Sequence, residues 1–186
     1  MRPWKQIRLE KGPQIPLFDL EFHYMENPRN RSVLKALILR AQDTVNIIAM
    51  TAGEEILFVK QFRFGVSDFI LELPAGLIDL GENPISTAKR ELEEETGFTS
   101  EKWHYLGYSL INPAYVNNGC HHFMAMDAQM KGKQRLDDTE TIQVEVFPLD
   151  SIPEIIKKGI IRDAISIAGL CRFMDIRAAG DKLFFT

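Results

Sequence analysis

A chain of 186 residues, 45% apolar and 26% charged with a net charge of −4, has the composition of a soluble globular protein able to bury a substantial core. So mild an acidic excess gives no reason to expect nucleic acid or an anionic membrane as the main partner. Cys120 and Cys171 form no CxxC and read as free thiols of a reducing cytoplasm, the start MRPWKQIRLEKGPQIP lacks the apolar centre of a signal peptide, and no apolar run nears the length of a membrane span.

In chain order, LFDLEFHY (17–24) alternates, with Phe18, Leu20, Phe22 and Tyr24 on one side and Asp19, Glu21 and His23 on the other, the pattern of a half-buried strand. ENPRNRS is a turn and VLKALILR (33–40) a second strand, so the first forty residues predict an antiparallel unit. Core packing is the expected role for at least two of the aromatics Trp4, Phe22 and Tyr24. Apolar, β-branched runs at 45–50 and 56–59 flank TAGEE and predict a hairpin. PAGLIDLGEN is loop. A helix follows with clear boundaries: Asn83 as N-cap, Pro84 at the first helical position and Gly97 as the stop. WHYLGYSL, HHFMAM and IQVEVFPL predict further strands, and SIPEIIKKG and RDAISIAGLCRF closing helices. Strands on both sides of a central helix, with more helix at the end, predict an α+β chain whose mixed sheet packs between helices. A subdomain edge near residue 43 divides a small N-terminal antiparallel β unit (1–43) from the main domain (44–186).

RELEEETGF (90–98) places Glu91, Glu93, Glu94 and Glu95 in five consecutive helical positions. Ile85, Ala88 and Leu92 form the stripe that would pack on the sheet, and Glu91, Glu94 and Glu95 a second stripe beside it, since residues three and four apart are neighbours on a helix. Glu93 points elsewhere, into solvent. An acidic run is ordinarily an exposed face. Here the acids sit in the last turn, where the helix dipole disfavours them, and beside the buried stripe rather than opposite it. A divalent cation bound by two or three carboxylates, such as Mg²⁺, resolves both problems and commonly also binds substrate phosphates.

Gly76, Glu82, Arg90-Glu91-Leu92, Glu94-Glu95, Gly97 and Phe98 complete the pattern G-x5-E-x7-R-E-U-x-E-E-x-G-U, with U a bulky apolar residue. This resembles the Nudix box, the signature of hydrolases acting on a nucleoside diphosphate linked to another moiety. The resemblance covers roughly residues 18 to 175. It implies a Nudix fold, an α/β/α sandwich, in which Glu91, Glu94, Glu95 and the carbonyl of Ala75 hold Mg²⁺ or Mn²⁺, Glu82 assists and Arg90 orients the carboxylates. KQFRFGVSDFILELPAGLID (60–79) is similar to the segment before the box in ADP-ribose pyrophosphatases and their nucleotide-sugar relatives. In that subfamily an arginine matching Arg63 contacts substrate phosphate, a role suited to its planar fork, and a glutamate matching Glu72 lies near the metal. Pro113 falls where the subfamily carries its characteristic proline. The water-directing base is matched by Glu140 in RLDDTETIQVEVF; Asp137, Asp138 and a box glutamate stay open as alternatives.

The resemblance further implies a homodimer assembled through the N-terminal strands, which would also contribute to the nucleobase site. Around ENPRNRSVLKALILR the family's tryptophan and second phosphate-binding arginine are not placed, and INPAYVNNGCHH is slightly longer than usual. The expected reaction is hydrolysis of a nucleoside diphosphate sugar, ADP-ribose foremost, to AMP and ribose 5-phosphate. GDP-mannose or UDP-sugar hydrolysis is the alternative within enzymes, and a non-catalytic ADP-ribose sensor the alternative outside them. His121-His122 is not expected to bind metal, because neighbours on a strand point to opposite faces.

Overall fold

The computed structural model describes residues 1–137 and 140–178. The chain divides into two compact units, Met1–Asp43 with Leu110–Gly119, and Thr44–Ser109 with the chain from Cys120 on.

The first unit is an antiparallel sheet of three strands, β1 (Lys5–Ile15), β2 (Phe18–Glu26) and β3 (Val33–Arg40), in that order. β1 has no counterpart in the sequence reading, because its charged residues blur any alternation. Residues 110–119 are stitched to the strand that ends the unit. The Leu39 N–H donates to the Tyr115 carbonyl at 2.8 Å, and Asn117 N–H to the Leu39 carbonyl at 3.1 Å. The alternation expected along β2 does not hold at Glu21, which is only 9% exposed, 2.7 Å from His23 and 3.8 Å from Arg40. Ion pairing lets this acid be buried. Trp4, Phe22 and Tyr24 also depart from expectation, since none joins a core cluster. Trp4 is 43% exposed, while Lys35 lies 4.0 Å above the Phe22 ring and Arg8 3.7 Å above Tyr24. These rings serve as platforms for cations.

The second unit begins with β4 (Thr44–Ala49), β5 (Glu55–Arg63), β6 (Asp68–Glu72) and β7 (Ala75–Leu77). Then come α1 (Pro84–Thr96), β8 (Phe98–Thr99), β9 (Lys102–Leu110), β10 (Gly119–Met126), β11 (Gln129–Met130) and β12 (Ile142–Pro148). A 3-10 turn (Leu149–Ser151), α2 (Ile152–Lys157) and α3 (Ala164–Ala178) close it. One sheet has the order β7-β4-β10-β9, mixed because β4 runs parallel to β10 and antiparallel to β7. A second, β12-β5-β6, is antiparallel. The expected hairpin across TAGEE is therefore not one. β4 and β5 lie in different sheets and meet only at the bridge Met50–Ile56. Both are nearly continuous apolar runs buried on two faces, which marks central strands rather than a hairpin pair.

β4 parts its side chains between two core clusters. Val45, Ile47 and Ala49 pack with Ala88 and Leu92 of α1, and Ile48 and Met50 with Ile152 of α2 and Leu170 and Phe173 of α3. This is the sheet between helices that the sequence predicts. α1 begins and ends where expected: the Asn83 side chain accepts from Ser86 N–H at 2.9 Å, and Gly97 takes a left-handed φ of 75°. No helix among the described residues is long and apolar enough to cross a membrane.

Candidate active site

Beside α1, residues of β4, β5, β6, β7 and the segment before β12 line one cavity of about 470 Å³. Three α1 residues line it: Arg90, Glu91 and Glu95. Glu95 is only 4% exposed and its carboxylate accepts from the Ala75 N–H at 3.0 Å. Burial pushes its carboxyl up to about 8, against the opposing hydrogen bond from Ala75 and with the help of Glu91 and Glu140. Glu91 is pushed up to about 7, again chiefly by burial, and lies against Gly76.

Arg90 organises the rest of the helix surface. Its Nη1 donates to Glu91 at 2.8 Å and Glu94 at 3.1 Å, and its Nη2 to Glu82 at 3.0 Å. Glu82 is held low by the Arg90 hydrogen bond. Glu82 and Glu94 stand at the edge of the site, neither lining the cavity. Glu93, expected to be merely solvated, pairs with Arg135 at 3.2 Å.

Opposite α1, Arg63 and Glu72 form a two-pronged pair. Nε and Nη2 of Arg63 donate to Glu72 at 3.0 and 2.7 Å, and Gln61 reaches the same carboxylate at 3.3 Å. The paired edge of the Arg63 fork therefore faces Glu72, which leaves Nη1. Glu140 and Asp137 both line the cavity, tied by Glu140 N–H to the Asp137 carbonyl at 2.9 Å and Asp137 N–H to the Glu140 carboxylate at 3.2 Å. Asp138 lies outside the described residues. Pro113 is exposed within the 110–119 segment of the first unit and is not among the cavity residues.

Sequence reasoning missed Asn46, Gln61 and Asp163, which line the same cavity. Their position depends on which strands pair and where α3 docks. A polar residue inside the apolar run TVNIIAM was the one available signal, at Asn46.

Among the described residues, seven carboxylates and two guanidiniums line the cavity, a net negative wall in a partly enclosed space. Half-buried Glu91 and buried Glu95, both pushed toward neutrality, are the groups a dication would stabilise as charged ligands, so the residues present fit Mg²⁺ or Mn²⁺. Among the described residues no three acids already form a ligand cluster; Arg90 bridges Glu91 and Glu94 in its place.

Residues 40–166 match the NUDIX domain model. The chain is 32% identical to an ADP-ribose pyrophosphatase of Bacillus subtilis (strain 168) over 86% of both chains. It is also 32% identical to a methanol dehydrogenase activator of Bacillus methanolicus over 88% of both. A solved crystal structure of an ADP compounds hydrolase shares the fold, with a TM-score of 0.85 over 97% of both chains at 20% identity. A domain match of that length, joined to relatives aligned over most of both chains, makes this protein a member of the Nudix family, and a hydrolase.

Proposed function

We propose that the protein hydrolyses the diphosphate of an ADP-sugar, ADP-ribose foremost, to AMP and ribose 5-phosphate with Mg²⁺ or Mn²⁺ bound. The observation that carries this reading is the cavity itself, where Arg63, half-buried Glu91 and buried Glu95 line one space of about 470 Å³. A cationic group on one wall and metal-binding carboxylates on the other suit an anionic diphosphate that arrives with its cation. One of the relatives named above is an ADP-ribose pyrophosphatase aligned over 86% of both chains, which narrows the class further.

Glu91, Glu94, Glu95 and the Ala75 carbonyl would hold the cation, which supplies charge neutralisation and Lewis acidity. Arg90 keeps Glu91 and Glu94 apart and aimed. Arg63, fixed by Glu72, offers Nη1 to a phosphoryl oxygen. Glu140 takes the proton of the attacking water; Asp137, on the same stretch, is the alternative. The water oxygen joins one phosphorus as the bridging P–O bond breaks, and the two monophosphates leave. The second unit holds all these groups; the first is assigned to homodimer assembly and nucleobase contacts.

Product analysis with ADP-ribose, GDP-mannose, UDP-glucose, NADH and nucleoside triphosphates in Mg²⁺ tests the proposal. ADP-ribose is expected to give AMP and ribose 5-phosphate with the highest kcat/KM. A preference for GDP-mannose, UDP-glucose or a triphosphate would replace the ADP-sugar assignment.

A further inference from the structure

One polar pair interrupts the α3-facing core. Asn46 belongs to the same side of β4 as Ile48 and Met50, and it is 1% exposed. Its register partner on β10 is His122, wholly buried, with Nδ1 3.3 Å from Asn46 Oδ1. α3 crosses the pair at Gly169, where a β-carbon would stand 2.6 Å from Asn46 Oδ1 and 3.0 Å from His122 Nδ1. Three elements thus make room for two polar side chains where an apolar pair of the same shape would be as stable or more so.

The geometry fixes which way the amide faces. Burial, with the nearby charges of Arg172 and His121, pushes His122 down to about 4, so the ring is neutral at neutral pH. Its Nε2 has no partner among the described residues. An unpaired buried lone pair is better tolerated than an unpaired buried N–H, so the ring proton belongs on Nδ1 and donates to Asn46 Oδ1. Nδ2 remains as the group Asn46 offers to the cavity it lines. The other side-chain N–H groups there are largely engaged: Arg90 with Glu82, Glu91 and Glu94, and Gln61 with Glu72, as are Nε and Nη2 of Arg63. Asn46 Nδ2 and Arg63 Nη1 are left for an acceptor-rich ligand.

We propose that Asn46 binds substrate, its Nδ2 donating to a diphosphate oxygen, and that His122 is the positioning residue that holds it. The inference rests on the diphosphate reading above. A neutral donor suits this place, since it adds a hydrogen bond without a positive charge that would compete with the divalent cation.

The decisive variant replaces both partners, Asn46→Leu with His122→Leu, which keeps the shape and removes the buried polarity. Thermal unfolding is expected to stay close to wild type. kcat/KM in Mg²⁺ should fall by about tenfold or more, the scale of one lost hydrogen bond. The loss should be equal for ADP-ribose and for the β-methyl ester of ADP, which keeps the diphosphate and lacks the second sugar. Among single variants, His122→Asn, whose amide N–H can still reach Asn46 Oδ1, should retain activity that His122→Leu loses. A double variant with wild-type kcat/KM would reduce the pair to a packing feature and overturn the proposal. A loss confined to ADP-ribose would overturn it too, in favour of a sugar hydroxyl as the partner. Wild-type protein that cleaves neither substrate refutes the function proposed above, and this inference with it.

Discussion

Gly76 leaves no space for a side chain: a β-carbon there would stand 2.1 Å from the Glu91 carboxyl. Glu91 is flexible enough to move away, so the cost of Gly76→Ala falls on the site rather than on the fold. Thermal stability should barely change, while kcat falls by about 10²-fold, the penalty of a ligand displaced by roughly 1 Å. Calorimetry for Mg²⁺ binding should show the weakened site directly. Arg63 makes a similar point with chemistry in place of volume. Lysine keeps the charge but cannot pair with Glu72 through two nitrogens while presenting a third, so Arg63→Lys should raise KM for ADP-ribose about tenfold or more. The box residues were legible because spacing along one helix fixes their neighbours in space. Asn46 and Asp163 were not, since they reach the cavity only through strand pairing and the docking of α3.

At the scale of elements, α1 was the most legible part of the chain. Asn83, Pro84 and Gly97 act locally, so its ends needed no tertiary information. The β4–β5 connection was illegible for the opposite reason: a turn sequence reports a reversal of direction, not whether the strands it joins share a sheet. α1 also carries a pH signature. Glu91 and Glu95, near 7 and 8 in the folded protein, lie above the ordinary 4.5, so the folded state holds these protons more tightly. Their contribution to stability is complete below about pH 4.5 and is lost as pH rises through those folded values. Metal-free protein should therefore lose thermal stability between about pH 5 and pH 8, and Mg²⁺ should restore it. Glu95→Gln should flatten that decline and raise metal-free stability, yet lower kcat by at least about 10²-fold. A Glu95→Gln protein active within a few-fold of wild type would remove Glu95 from the metal site.

For the whole molecule, the first unit raises the question of what covers it. Three strands with exposed Ile7, Leu9, Leu34 and Leu37 are a thin structure to stand alone in water. A second copy of the chain is the proposed cover, since two-fold homodimers are the commonest assembly. Sedimentation at micromolar concentration should give twice 21.3 kDa. Leu34→Lys with Leu37→Lys should shift the protein to monomer, and KM for ADP-ribose should rise with it if this unit lines the nucleobase site. A wild-type monomer would refute the assembly. The sequence carried β2 and β3 of this unit but not β1. Nor did it indicate that residues 110–119 fold with the unit, because that contact joins positions 76 residues apart in the chain.

The acidic end of α1 is also an anchor. Lys131 and Gly132 donate their N–H groups to the Gly97 carbonyl at 3.0 and 3.2 Å, and Arg135 donates its N–H to the Glu94 carbonyl at 2.9 Å. The chain that carries Asp137 and Glu140 to the cavity is thereby tied, by main-chain atoms, to the helix that carries the box. Every amino acid except proline supplies such an N–H. Side chains at positions 131 to 133 are therefore open to drift, whereas Gln134 adds a side-chain tie, its Nε2 donating to the Glu95 carbonyl at 2.6 Å, and Arg135 pairs with Glu93 at 3.2 Å. Lineages can recolour the first three positions while the proposed base stays in register with the metal ligands. Proline at 131, 132 or 135 is the change this stretch cannot absorb.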